Sequence, residues 1–129
     1  MFKGLLLALG LFGFQVDYGG DVIEKLQQFY YLKQSQQEFV IPDVCISACT
    51  MFLGLPKVCV QDGTVFGFHS AYYMDGNKPI PSKFGNDILL DIYPPKVKDF
   101  VVKNKFLDSL DLSFVNAKTM YALGIKECN

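Results

Sequence analysis

Apolar and polar positions along the chain change period several times, and each change marks an element. Over residues 21–34 the apolar residues Val22, Ile23, Leu26, Phe29 and Tyr30 recur at helical spacing. Asp21 and Glu24 stand in that helix's first turn, where the dipole favours negative charge. "EFVIPDVCI" predicts a short β segment broken by Pro42. A mostly apolar helix follows over residues 47–55, closed by Gly54 and Pro56. "KVCVQDGTVFGFHS" predicts two β segments around an Asp62-Gly63 turn, with His69 at the end of the second. "AYYMDGNKPIPSKFGN" reads as a polar surface loop. Helices are predicted over residues 84–92 and 95–106, with Pro95 suited to a first turn. In "LSFVNAKTMYALG", Ser113 is the expected N-cap, and Phe114, Ala117, Met120 and Tyr121 share one face. Gly124 is the expected C-cap of that last helix. Strands alternating with helices predict a single α/β domain with a mostly parallel sheet.

The N-terminal "MFKGLLLALGLFGFQV" carries one lysine ahead of a short apolar, glycine-containing run. Two readings stay open for this segment. It resembles an export signal that would also serve as a membrane tether, and it equally fits a buried first strand. The chain therefore divides into a signal-like or first-strand segment (residues 1–16) and one folded domain (residues 17–129).

Composition narrows the function classes. With 129 residues the chain can build one real core and not two. Its twelve cations are all lysines, against thirteen acids, so neither a basic stripe nor guanidinium forks exist and nucleic acid is excluded as a partner. Four cysteines (Cys45, Cys49, Cys59 and Cys128) predict two disulfides in an exported chain, with three pairings open. One histidine and no second cysteine pair argue against a metal site, and no cofactor pattern is present.

"IPDVCISACTMF" and "FGFHS" hold the candidate chemistry. A serine hydroxyl needs a base to take its proton and N–H donors to meet the oxyanion. Ser47 opens a helix, where the N–H of Ala48 is unpaired and the dipole favours negative charge. The Gly19-Gly20 turn can bring bare backbone close as a second donor. His69, at a strand end, is the available base. The plain alternative is a serine that only caps its helix.

The order of these pieces resembles the ClpP/crotonase superfamily over about residues 14–128. "CISACTMFLGLPKVCVQDGTVFGFHSAYY" and the late "ALGIKEC" look like small exported ClpP-like proteins of bacteria and phages. The resemblance implies a ββα spiral core and a serine hydrolase, most simply a peptidase, outside the cytoplasm. It implies Ser47 as nucleophile, His69 as base, and Gly20 and Ala48 N–H as the oxyanion hole. Asp111 is the implied acid, with Asp108 or a plain Ser–His dyad as alternatives. It also implies a peptide or protein substrate, homo-oligomerisation, and a periplasmic or membrane-associated location. A bridge between Cys45 and Cys49 would stiffen the Ser47 turn. The reading from another class is a non-catalytic accessory protein of the cell envelope or of a phage that binds an extended peptide.

Overall fold

In the computed structural model, which describes residues 13–129, the chain opens with β1 (Val16–Asp17), α1 (Val22–Ser35), β2 (Phe39–Val40) and β3 (Val44–Ile46). A 3-10 helix (Ser47–Gly54) leads to β4 (Val58–Cys59), β5 (Val65–Phe68) and a hairpin of β6 (Tyr72–Asp75) and β7 (Lys78–Pro81). Then come α2 (Lys83–Ile92), α3 (Pro95–Lys103), β8 (Ser113–Asn116) and α4 (Ala117–Ala122). Four strands align in the order β1-β3-β5-β8. The first three are parallel, and β8 closes the edge antiparallel to β5. This is a small single-domain α/β fold with a mixed, mostly parallel sheet.

The 3-10 helix is the centre of the core. Ala48, Cys49, Thr50, Met51, Phe52 and Leu53 are all buried, as expected of a segment apolar on every side. Cys45, Phe66, Phe68 and Val115 point from the sheet into the same core. Gly54 is glycine because a Cβ there would run into the carbonyl oxygen of Ile92. The α1 start follows its pattern: the Asp21 carboxylate accepts from Ile23 N–H at 2.8 Å and Glu24 N–H at 3.1 Å.

Two disulfides, Cys45–Cys49 and Cys59–Cys128, use all four cysteines. They point to an oxidising, extracytoplasmic location. The second ties the C-terminus to β4, beside the bonds from Val60 N–H to the Lys126 carbonyl and from Cys128 N–H to the Val60 carbonyl. Among the described residues no helix is long and apolar enough to cross a membrane. The signal-like segment lies outside the described residues except for its last positions.

Several sequence expectations are corrected. Residues 71–86 are not a loop, because they contain the β6–β7 hairpin. Gly76, at φ +68°, supplies the positive φ of its two-residue turn. Pro79 and Pro81 pair with Met74 and Tyr72, at alternate positions where the ladder needs no N–H. Ser113 is not a helix cap. It opens β8, and α4 is capped three residues later by Asn116, whose side chain accepts from Thr119 N–H at 3.0 Å. Phe114 is consequently 63% exposed instead of lying on the core face. The two β segments expected around Asp62-Gly63 are present, as β4 paired with β2 and β5 paired with β3 and β8. The helix that begins at Pro95 ends at Lys103.

Two substitutions test this packing. Replacing Cys59 and Cys128 together by alanine should lower unfolding free energy by about 2–5 kcal/mol, read from urea midpoints. Gly54→Ala should lower it by about 1–3 kcal/mol, and an unchanged midpoint would contradict the contact with Ile92.

Candidate functional site

Ser47 sits where β3 gives way to the 3-10 helix, and its φ is +59°. Few residues other than glycine adopt this conformation, which stores about 1–3 kcal/mol and persists only when its surroundings enforce it. The cap expectation fails here: the cap position is Ile46, with no side-chain bond, and among the described residues the Ser47 hydroxyl makes no hydrogen bond. The hydroxyl is therefore not consumed in holding the helix start.

Two devices enforce the turn. The Cys45–Cys49 disulfide closes around it. A buried hydroxyl chain holds its carbonyl: the Thr50 hydroxyl donates to the Ser47 carbonyl at 2.7 Å and stands 2.7 Å from the Tyr93 hydroxyl. Threonine has one proton to give, so Tyr93 must be the donor to Thr50. Burial pushes the Tyr93 phenol well above its ordinary range, with the Thr50 bond opposing the shift, which keeps it a donor.

The glycine turn lies directly on the serine turn. Asp17 accepts the Gly19 N–H at 2.8 Å and pairs with Lys25 at 2.6 Å. Gly19 and Gly20 both have positive φ, +100° and +82°. A Cβ on Gly19 would stand 2.8 Å from the Ile46 carbonyl oxygen and 2.9 Å from Ala48 N. Gly20, by contrast, has open space around it, and its N–H makes no hydrogen bond among the described residues. Ala48 N–H lies in the first helical turn, where no intrahelical partner exists. Residue Ala48 itself is buried and does not line the groove, whereas Gly20 does.

His69 follows β5 and is half-buried. Its Nδ1 lies 2.7 Å from the Ser70 carbonyl oxygen. A carbonyl only accepts, so Nδ1 carries a proton, and in the neutral ring Nε2 then holds the lone pair. Ser47, His69 and Gly20 line one groove of about 390 Å³, rimmed by exposed Tyr18, Tyr72, Tyr73, Met74 and Phe84. Ser47 and His69 share this groove without a hydrogen bond between them. Neither Asp111 nor Asp108 is hydrogen-bonded or ion-paired to His69; both are exposed, and the backbone N–H of Asp111 donates to the Ser109 hydroxyl at 3.0 Å. Among the described residues no group of His, Cys, Asp or Glu gathers as metal ligands.

Sequence reasoning missed Thr50, Tyr93, Ser70 and Asn86. Asn86 was the detectable one, as a polar residue of low helix propensity just ahead of the apolar run of α2. Its Oδ1 accepts the Ala71 N–H at 2.7 Å, and its Nδ2 donates to the Ser70 hydroxyl at 3.0 Å and the Leu107 carbonyl at 3.3 Å.

Gly19→Ala should lower stability by about 2–4 kcal/mol through left-handed strain and the clash with the Ser47 turn, as measured by denaturant unfolding. For Tyr93 the sign follows from its raised folded pKa. Below the ordinary value of 10.0 both folded and unfolded chains hold the proton and the contribution is intact. Above that value the unfolded chain loses its proton first, so stability falls. Tyr93→Phe should flatten this alkaline fall and lower neutral stability by about 1 kcal/mol, both read from unfolding curves across pH.

Comparison with family models, curated proteins and solved structures finds no match to this chain.

Proposed function

We propose that the chain is a serine hydrolase of ClpP/crotonase-like design that cleaves peptides outside the cytoplasm. The observation that carries the reading is the Ser47 hydroxyl, unbonded on an enforced positive-φ turn and sharing a groove with the lone-pair nitrogen of His69. Nε2 takes the proton from Ser47 Oγ as that oxygen attacks the substrate carbonyl carbon. The developing oxyanion is met by Gly20 N–H and Ala48 N–H, the second aided by the helix start. The imidazolium then gives its proton to the leaving amine, and water hydrolyses the acyl-enzyme by the same route in reverse. The exposed aromatic rim supports peptide side chains as what the groove receives. The sequence resemblance extends the proposal to a periplasmic setting, a ββα spiral core, homo-oligomerisation and an N-terminal tether.

A second reading rests on a specific observation: Ser47 and His69 are not hydrogen-bonded, and among the described residues no carboxylate is hydrogen-bonded or ion-paired to His69. On that reading the groove binds an extended peptide without cleaving it. Apo catalytic bonds are often long, so the missing Ser47–His69 bond is compatible with hydrolysis.

The two part on one experiment. A fluorophosphonate probe should label the folded, disulfide-intact protein, and Ser47→Ala should abolish labelling. His69→Ala should slow it by about 10²–10⁴-fold. Labelling that survives Ser47→Ala, or none in folded wild-type protein, overturns the hydrolase and leaves the binding module.

A further inference from the structure

If His69 is a general base, something must hold its ring with Nδ1 protonated, and in a familiar triad a carboxylate does so. Here the partner of Nδ1 is the carbonyl of the next residue, Ser70, at 2.7 Å. That carbonyl belongs to the Ser70–Ala71 peptide, a rigid plane in which C=O and N–H point in opposite directions. The other end of the plane is held: Ala71 N–H donates to Asn86 Oδ1 at 2.7 Å. Fixing the N–H on one side fixes the carbonyl on the other, aimed at His69. A hydrogen bond accepted from the amide N–H also polarises the peptide and makes its carbonyl a better acceptor.

Asn86 is itself anchored. Its Nδ2 donates to the buried Ser70 hydroxyl and to the Leu107 carbonyl. Ser70 N–H donates to the Ser109 carbonyl at 2.8 Å, and the Ser70 hydroxyl donates to the Ala71 carbonyl at 2.8 Å. The segment after His69 is thus held from α2 and from the 107–109 segment at once.

We propose that Asn86 is a positioning residue that sets the tautomer of His69 through the Ser70–Ala71 peptide, in the role a triad carboxylate would otherwise fill. The catalytic consequence rests on the hydrolase reading; the tautomer does not. Asp108 and Asp111 have no part in it.

The test uses the full, disulfide-intact chain, in which His69 is the only histidine. Histidine-specific ¹⁵N NMR therefore reports one ring without overlap. Wild-type protein, with its ring neutral, should show Nδ1 protonated and Nε2 bare. Asn86→Ala should let the Nε2–H tautomer appear, and Asn86→Asp, which keeps an acceptor for Ala71 N–H, should restore the wild-type pattern. Ser70→Ala, which leaves the peptide plane in place, should keep it too. The Asp108→Asn/Asp111→Asn double variant should leave both the tautomer and the fluorophosphonate labelling rate unchanged, while Asn86→Ala should slow labelling at least about tenfold.

An Nε2–H tautomer in wild type, an unchanged tautomer in folded Asn86→Ala, or a tautomer lost in the double aspartate variant overturns the proposal. If Asn86→Ala does not fold, Asn86→Ser, too short to reach Ala71 N–H, takes its place with the same expected and overturning outcomes, and an Nε2–H tautomer in wild type still overturns the proposal. Absence of labelling in wild type refutes the hydrolase reading, and the NMR pattern still decides the role of Asn86.

Discussion

The site depends on two backbones approaching closer than any side chain would allow. Gly19 lies against the Ile46 carbonyl and Ala48 N, where a Cβ would stand 2.8–2.9 Å from both. That approach follows from the parallel pairing of β1 with β3, which sets the last residue of β1, Asp17, opposite Cys45, one residue before β3 ends. Everything chemically distinctive is built on this contact. Gly20 lines the groove beside Ser47 because Gly19 brings the turn there, and Ser47 can hold φ +59° because it is wedged against that turn. The Asp17 carboxylate steadies the turn from behind, with the ammonium of Lys25 on its other oxygen.

The core serves the same end. A 3-10 helix buried on all sides is a poor device for stability by itself, since its hydrogen-bond geometry is inferior to that of an α-helix. It is supported from outside by the Cys45–Cys49 bridge and by the Tyr93–Thr50–Ser47 hydroxyl chain. Both act on the backbone around Ser47 and leave its hydroxyl alone. A strained turn whose polar side chain is spared by every stabilising contact is the arrangement expected when the side chain has another task.

What was legible in the sequence was what local pattern specifies. The helix opening at Asp21 announced itself by its cap and its apolar period, and the Gly19-Gly20 turn, Ser47 and His69 by position relative to the strands. The hairpin was hidden because Pro79 and Pro81 read as breakers; only the pairing register reveals that they fall where no ladder N–H is needed. Strand β8 was hidden because Ser113 fits an N-cap in isolation, and its pairing with Phe68 joins residues far apart in sequence. The bond between Thr50 and Tyr93 spans 43 residues and that between Ser70 and Asn86 spans 16, so no local pattern contains them.

His69 shows how a chain this small can economise on side chains. A triad carboxylate must be delivered from a distant element and desolvated beside the imidazole, and a charge taken out of water is expensive. A peptide carbonyl is neutral, already adjacent, and costs nothing to bring to the site; its weakness is that a free peptide plane can rotate. Asn86 removes that freedom with one hydrogen bond to the far side of the plane. The exchange also has a chemical consequence. A carboxylate stabilises the imidazolium that forms when the histidine takes a proton, whereas a carbonyl dipole stabilises it less. If His69 acts as a base, this arrangement would orient its ring but drive it less strongly than a carboxylate. On the hydrolase reading, more of the burden of transition-state stabilisation would fall on backbone N–H donors beside Ser47, next to the close approach of Gly19 to Ala48 N.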